Sequence, residues 1–548
     1  RDVLKGVVAG KPNKVIAHEL GISPRTVEVY RANVMTKTRA NAVSDLVRMA
    51  MVVGMFMSVL DIQIVAGSLS QIQAGLSASS AEVSWVQTSY LIAEVVMIPL
   101  SGYLARMMST RLLFTISAAG FTIASFLCGT ATTIEEMMIY RAIQGFIGGA
   151  MIPTVFATSY IIFGVRRRGA ASAFVGLTVT LAPTIGPALG GYITDLISWH
   201  WLFFVNIVPG VIVTVTVWLT MDIDKPDWSL WKNLDVEGLL YLAIFLGTFQ
   251  YVLEEGAKNE WFHDAEMRQL AAISLASGIA FFWRTLTRPI PIVDLSPFAN
   301  RTFAMATILA FTLGLGLFGI TYLLPLYLGR IQQYTSMQIG ETLWVTGIFM
   351  FMTAPIVGNL ANKVDLRLIA TFGFVMMGMS AWMLCDLTTE STYWDFFLPQ
   401  AMRGMGLMST MMGVQTIAMQ SLSPMQVKGA AGLFNLLRNT GGAFGLAILN
   451  TQLVDRTNLH WLRLREALQP GDPQAAAFLE GFAARYESMM HGDATAAALK
   501  VLGQVTFQQA SVLAFNDLFL IIALIFAANI PLIALLGKPV NRLAMEMH

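Results

Sequence analysis

Three features of this 548-residue chain predict an all-α, polytopic membrane fold. It is 55% hydrophobic and only 13% charged, with a mean hydropathy of +0.62, whereas soluble proteins carry roughly 25% charged residues. Its apolar stretches recur at about 20 residues, the length a helix needs to cross ~30 Å of hydrocarbon. Its basic residues collect on alternate connections between those stretches. The net charge of +1 is unevenly placed and indicates no partner.

Fourteen apolar stretches are read, near 48–69, 82–105, 110–130, 134–163, 168–193, 200–221, 235–254, 267–286, 301–328, 336–361, 367–386, 394–421, 428–453 and 513–537. Alternate loops carry thirteen basic residues: Arg106, Arg111, Arg166, Arg167, Arg168, Lys225, Lys232, Arg284, Arg288, Arg301, Lys363, Arg367 and Lys428. The short loops opposite carry three, Lys258, Arg268 and Arg330. The excess assigns the first set to the cytoplasm, and an even number of spans puts both termini there too. The long outer connection, 456–512, adds five basic residues, contains Gly-Asp-Pro at 471–473, and is expected to be partly helical. Two cysteines, Cys128 and Cys385, exclude a disulfide framework and read as core packing. The chain opens at Arg1 without Met or a signal peptide, which reads as the boundary of a fragment.

Pieces of the sequence recur at near-constant displacement. GYLARMMSTR (102–111) is similar to GNLANKVDLR (358–367), displaced by 256, and YRAIQGF (140–146) to PQAMRGM (399–405), displaced by 259. The Gly-rich run around Gly186 has a weaker counterpart around Gly445. A duplicated six-helix unit with two helices inserted between the copies accounts for fourteen spans. Such repeats build transporters whose substrate path lies between the halves. The expected organisation is a small helical segment at 1–47, a first half at 48–221, two inserted helices with linkers at 222–290, and a second half at 291–548.

Charges inside the apolar stretches are the candidate working parts, because an ionisable group in hydrocarbon is expensive unless paired or hydrated. Asp61 falls near the midplane of the first stretch, Glu94 near the centre of the second, and Arg141 in the fourth, ~10 Å below the outer surface. Burial lets a carboxylate exchange protons near neutral pH. Glu94 could also hold a cationic cargo or pair with Arg141. Glu341, Arg403, Arg438 and Asp517 form a second tier for coupling or substrate contact. Trp199, His200 and Trp201 are expected at the outer interface, where amphipathic rings are favoured. The 32 Met and 33 Phe suit an adaptable greasy surface, though they are equally ordinary packing residues. No nucleotide-binding loop, metal cluster or nucleophile triad is visible, so an enzyme is not expected.

In order, VLD (59–61), GYLARMMSTR, RAIQGFIGGA (141–150), PTIGPALGGYI (183–193), WHWLFFVNIVPG (199–210), PIVDLSPF (291–298) and FNLLRNTGGAFG (434–445) resemble the major facilitator superfamily, specifically its fourteen-span drug:proton antiporters of the EmrB/QacA type. The resemblance spans roughly 48–540. It implies proton-coupled efflux of hydrophobic, drug-like and in some cases cationic compounds by alternating access, driven by the proton gradient with no cofactor. Asp61, Glu94 and Arg141 would couple the proton. Gly176, Pro183, Gly186, Pro187, Gly190 and Gly191 would form the antiporter motif. Gly102, Arg106, Arg111, Gly358, Asp365 and Arg367 would form the cytoplasmic loop motif. In the wider superfamily an Asp usually stands at the place of Arg106 and a Gly at that of Ser109, so simple topology anchoring competes with gating there. In a Gram-negative host the resemblance implies an inner-membrane location, a periplasmic adaptor and an outer-membrane channel.

KPNKVIAHELGISPRTVEVYRANVM (11–35) resembles the LuxR/FixJ-type helix-turn-helix, with ELGIS (19–23) as the turn and Pro24–Met35 as the recognition helix. Lys14, Thr26, Val27 and Arg31 would then contact DNA, although Tyr30 stands where a His is usual. Residues 1–50 carry nine basic and four acidic side chains, a balance suited to phosphate contacts. A membrane-tethered regulator or sensor is therefore the competing class, alongside a non-binding appendage and a gene-fusion or start-site artefact.

Overall fold

A computed structural model describes residues 43–162, 189–361, 363–468, 473–487 and 494–537, with isolated positions 17, 21, 23, 26, 178, 182, 185 and 186. Among the described residues there is helix, turn and loop but no strand. The helices with described bounds are α1 (Val43–Ala66), α2 (Leu69–Gly75), α3 (Ser80–Met108), α4 (Thr110–Gly129), α5 (Ile134–Gly148), α6 (Met151–Ile162), α7 (Trp201–Phe204) and α8 (Ile207–Thr220). They continue as α9 (Val236–Glu255), α10 (Ala265–Thr287), α11 (Arg301–Arg330), α12 (Ser336–Leu360), α13 (Leu366–Met383), α14 (Tyr393–Gln420), α15 (Pro424–Ala467), α16 (Pro473–Glu487) and α17 (Ala494–Ile533).

Local sequence explains the boundaries. Ser79 and Glu82 make a reciprocal capping box at the start of α3, and Thr335 and Gln338 do the same for α12. Asp264 caps α10 through the Glu266 and Met267 N–H groups, and Asn300 caps α11 through Thr302 and Phe303.

Among the described residues, thirteen of the fourteen expected stretches are helical, and the fifth, 168–193, lies largely outside them. Ten helices are long and apolar enough to cross a membrane by length and composition, so on that criterion the described count is ten rather than fourteen. The difference has local causes. The fourth stretch turns at Gly149–Ala150, which splits it into α5 and α6. The twelfth and thirteenth are helical, but Gly, Ser, Thr, Gln and Asn dilute their hydropathy.

Helices α1, α3, α4, α5, α6 and α8 pack together, as do α11 to α15 with α17. The two groups meet where α15 crosses α3 and α6, and the inserted α9–α10 hairpin leans on α3 and α15. The repeat is visible in the packing. A Cβ on Gly145 would collide with the Tyr90 carbonyl, and one on Gly404 would collide with the Thr346 carbonyl. Those partners are displaced by the same 259 and 256 residues as the sequence pieces.

The connection at 456–512 is helical through most of its described residues. The 44-residue α15 and the 40-residue α17 would measure about 66 and 60 Å at 1.5 Å per residue, twice a hydrocarbon core. The thirteenth stretch, expected to end near 453, therefore continues as helix to Ala467, and α16 packs against α17 beyond it.

Candidate functional site

Asp61 lies in the fifth turn of α1, where α1 meets α6 and α8. Its carboxylate is 1% exposed and accepts from three side chains on two other elements. Arg141 Nη1 on α5 donates to Oδ2 at 2.5 Å. Gln144 Nε2, one turn further along α5, donates to Oδ1 at 3.2 Å, and Asn206 Nδ2 at the head of α8 donates to the same oxygen at 2.8 Å.

Arg141 is fully buried and held from several sides. Its Nη1 also reaches Gln144 Oε1 at 2.7 Å and its Nε donates to the Val86 carbonyl at 3.0 Å. The Tyr90 ring lies 4.3 Å from its guanidinium carbon, a cation–π contact. Gly145 makes this possible, since its lack of a side chain lets α5 approach the α3 backbone that carries Val86 and Tyr90. Behind the pair, Asn206 donates to Ser125 Oγ at 3.1 Å, and Cys128 Sγ lies 3.6 Å from Gln144 Oε1. Cys128 thus borders the cluster rather than merely filling core.

Breaking a buried pair by removing one charge costs about 3–5 kcal/mol, because the survivor stays buried without compensation. One proton on Asp61 would do the same chemically, leaving Arg141 charged with only neutral partners.

Glu94 is buried on α3 but makes no ion pair with Arg141, whose carboxylate partner is Asp61. Arg403 on α14 is buried and donates to Thr321 Oγ1 at 2.5 Å, while the neighbouring Gln400 has no hydrogen-bond partner for either amide atom. Arg438 is buried on α15 beside the Phe156 ring. Glu341 is exposed near the start of α12, away from the cluster. Asp517 is half-buried on α17, accepting from His460 Nε2 at 2.9 Å and Arg456 Nη1 at 3.2 Å.

Of the glycine motif, Gly176, Pro183 and Pro187 lie outside the described residues. Gly186 and Gly190 sit against Gln63 and Ile64, in the part of α1 that follows Asp61, and against Ser68 just beyond it. Gly191 is half-buried, and its carbonyl accepts from Thr194 at 2.9 Å.

In the loop motifs Gly102 and Gly358 are buried, Arg106 lies over Tyr103, and Arg111 lies over Trp218. Asp365 caps α13 by accepting from the Arg367 N–H at 2.9 Å. The first copy has no carboxylate of its own there, but Asp224 reaches in and accepts from the Thr110 N–H at 3.0 Å and from its Oγ1 at 2.8 Å.

Trp199 is buried, stacked on His200 at 3.8 Å, while Trp201 is exposed. Burial holds the His200 imidazole below its ordinary range. In the N-terminal segment Lys14, Val27 and Arg31 lie outside the described residues. Thr26 is tied to Ser23 by a 2.8 Å hydroxyl contact, and Gly21 takes a left-handed φ of 63° at the expected turn.

Sequence reasoning passed over Gln144, Asn206, Ser125 and Tyr90. Two signals were present: Gln144 stands three residues after Arg141 in RAIQGF, and Asn206 is the one amide in WHWLFFVNIVPG.

Residues 51–446 match the family profile of the Major Facilitator Superfamily, and residues 1–50 match that of bacterial regulatory proteins of the luxR family. The chain is 40% identical over 476 residues to the "Colistin resistance protein EmrB" of Acinetobacter baumannii, covering 87% of this chain and 93% of that protein. It is 31% identical over 494 residues to the "Fatty acid resistance protein FarB" of Neisseria gonorrhoeae, covering 90% and 96%. It is also 31% identical over 430 residues to the "Multidrug export protein EmrB" of Escherichia coli K12, covering 78% and 84%. The crystal structure of the human organic anion transporter MFSD10 shares the fold, with a TM-score of 0.54 at 13% identity, covering 88% of this chain and 99% of that one. The chain belongs to the major facilitator superfamily: it is a multi-pass membrane transporter and not an enzyme.

Proposed function

We propose that this protein exports hydrophobic, drug-like compounds in exchange for protons by alternating access. The convergence of three donors from α5 and α8 on the buried Asp61 carboxylate carries the reading. The names of the EmrB-type relatives support drug-like cargo.

A proton entering from outside neutralises Asp61 and breaks its pair with Arg141. Moving a two-state equilibrium from 1:99 to 99:1 takes about 5.5 kcal/mol. The ~3–5 kcal/mol set loose when a buried pair loses one charge is most of that. Protonation of Glu94 adds to it by weakening its hold on a cationic cargo, which leaves as the population shifts. The proton gradient supplies the energy, and no cofactor takes part. The asymmetry of basic loops supports an inner-membrane protein with both termini in the cytoplasm. Docking of a periplasmic adaptor and an outer-membrane channel belongs to the same reading, with the α15–α17 projection as the element to reach them.

The test is Asp61→Asn in inverted vesicles with an imposed pH gradient. Loss of gradient-driven export is expected, and export equal to wild type would sink the assignment. A regulator reading rests on residues 1–50, which match the luxR-family profile. It predicts sequence-specific retardation of DNA by that segment at physiological salt, and no retardation removes it.

A further inference from the structure

In the Asp61 cluster one buried polar atom, Arg141 Nη2, lacks a hydrogen-bond partner, while the layer where the two halves meet leaves several. Among the described residues, Glu94 on α3 is 4% exposed and its Oε1 has no hydrogen-bond partner. Across the junction, Arg438 on α15 is 3% exposed, and its Nε and Nη1 have no partners. Its Nη2 reaches only the adjacent Asn439, at 3.2 Å. Asn435, three residues earlier on the same helix face, donates to the Ala431 carbonyl at 2.8 Å and leaves its Oδ1 without a partner.

These groups share one place. Helices α3 and α15 pack together, and a Cβ on Gly432 would lie 3.0 Å from the Ile98 carbonyl, one turn below Glu94. The Arg438 guanidinium carbon lies 5.9 Å from the Phe156 ring of α6. Glu94 and Arg438 are not ion-paired with each other. Two buried charges with no counter-ion in contact are each expensive, and an apolar pair of similar volume would serve the fold at least as well. Their chemistry is complementary rather than redundant, since Glu94 offers an acceptor and Arg438 only donors.

We propose that Glu94, Asn435 and Arg438 form a two-ended polar anchor for cargo that carries both a basic and an acidic group. The basic group donates to Glu94 and to Asn435 Oδ1. The acidic group accepts from the Nε and Nη1 edge of Arg438, a geometry in which guanidinium binds carboxylate well. The apolar body rests against Phe156. The preferred cargo class is an amphoteric amphiphile, with singly charged compounds bound at one end only. This deepens the export reading and rests on it for the word cargo.

The test uses the full chain in nanodiscs and three probes that share one aromatic ring: naphthylmethylammonium, naphthylacetate and naphthylalanine. Binding is read by fluorescence. Wild type should bind naphthylalanine about tenfold more tightly than either singly charged probe, a difference of ~1.4 kcal/mol. Arg438→Gln should weaken the two acid-bearing probes at least fivefold more than naphthylmethylammonium, and Glu94→Gln should produce the mirror pattern. Arg438→Lys should restore part of the acid preference. The double variant Glu94→Gln/Arg438→Gln removes both buried charges together, keeping the site foldable, and should level the three affinities. Equal weakening of all three probes in Arg438→Gln, or no wild-type preference, overturns the proposal. Gradient-driven uptake of naphthylmethylammonium into inverted vesicles separates the two readings. Uptake without the binding pattern leaves export standing and removes the anchor. The binding pattern without uptake leaves the anchor and removes proton-driven export.

Discussion

In the first half of the molecule Arg141 donates to Asp61 at 2.5 Å and to Gln144 at 2.7 Å. In the second half Arg403 donates to Thr321 at 2.5 Å and leaves Nε without a partner. The positions correspond through the repeat: Asp61 and Thr321 differ by 260, and Gln144 and Arg403 by 259. Each half therefore places a buried guanidinium against the first helix of its own bundle, but only one half faces it with a carboxylate. A carboxylate can be switched from charged acceptor to neutral by one proton, whereas a hydroxyl at neutral pH cannot. The two frames differ in two ways: the arginine sits one turn apart in the copies, Arg141 aligning with Gln400 and Arg403 with Gln144, and an Asp in one stands where the other has Thr.

The largest effects should come from testing that difference directly. Arg141→Met strands Asp61 with two amide donors and should lower stability by about 3–5 kcal/mol. Arg403→Met strands no charge and should lower it by about 1 kcal/mol. Melting of the two purified proteins compares them, and equal losses would break the contrast. Thr321→Asp sharpens it. Giving Arg403 a carboxylate should raise the melting point without restoring gradient-driven export to Asp61→Asn.

The frames themselves should respond alike. Gly145→Ala and Gly404→Ala each push a methyl group into a carbonyl of the neighbouring helix. Overpacking of this kind costs about 1–3 kcal/mol, so the two variants should melt within a few degrees of each other.

The inserted α9–α10 hairpin has no second copy and serves as a control. Asp235, just before α9, is buried, which opposes its ionisation. A hydrogen bond from Arg284, the Gly238 N–H and the charges of Arg284 and Arg288 outweigh that and hold the carboxyl below its ordinary range. A depressed folded-state pKa contributes stability that is present above the unfolded value, about 3.9. That contribution is lost as pH falls through the folded value. Asp235→Asn should lower stability at neutral pH and flatten the acid side of the melting profile. An unchanged acid limb would show that the pair does nothing for the hairpin.

Much of this was legible in the sequence because helix crossing and duplication leave linear signals. The 256 and 259 displacements read from GYLARMMSTR and YRAIQGF reappear as glycine–carbonyl contacts between helices. Asp61 and Arg141 stood out singly as charges in apolar stretches, although their pairing was not read. What could not be read was set by helix rotation. Asn206 reaches Asp61 across 145 residues, and nothing local says that its amide, rather than a neighbouring Val or Phe, faces α1. The same ignorance allowed Glu94 to be paired with Arg141, whose carboxylate partner is Asp61. Trp199 packs against Gly75 of α2, a contact no periodicity reveals.

The smallest predicted effect separates the copies at their loops. Ser109 and Asp365 occupy the same repeat position, 256 residues apart, each just before a helix. Ser109 holds φ 78° and ψ 153°, a region essentially restricted to glycine, whereas Asp365 holds an ordinary φ of −60°. Such strain costs of order 1–3 kcal/mol. The cap that Ser109 Oγ gives the Leu112 N–H, at 3.3 Å, is a long one, and Asp224 already holds the Thr110 N–H. Replacing a capping Ser by Gly loses only a few tenths of a kcal/mol, so Ser109→Gly should raise stability by about 1 kcal/mol. Asp365→Gly has no strain to release and loses the cap on Arg367, so it should lower stability by about 0.5–1 kcal/mol. Opposite shifts in melting temperature are expected from the same substitution at equivalent positions. A loss in both would mean that the Ser109 backbone is not strained, and that the loops differ only in the side chain that caps them.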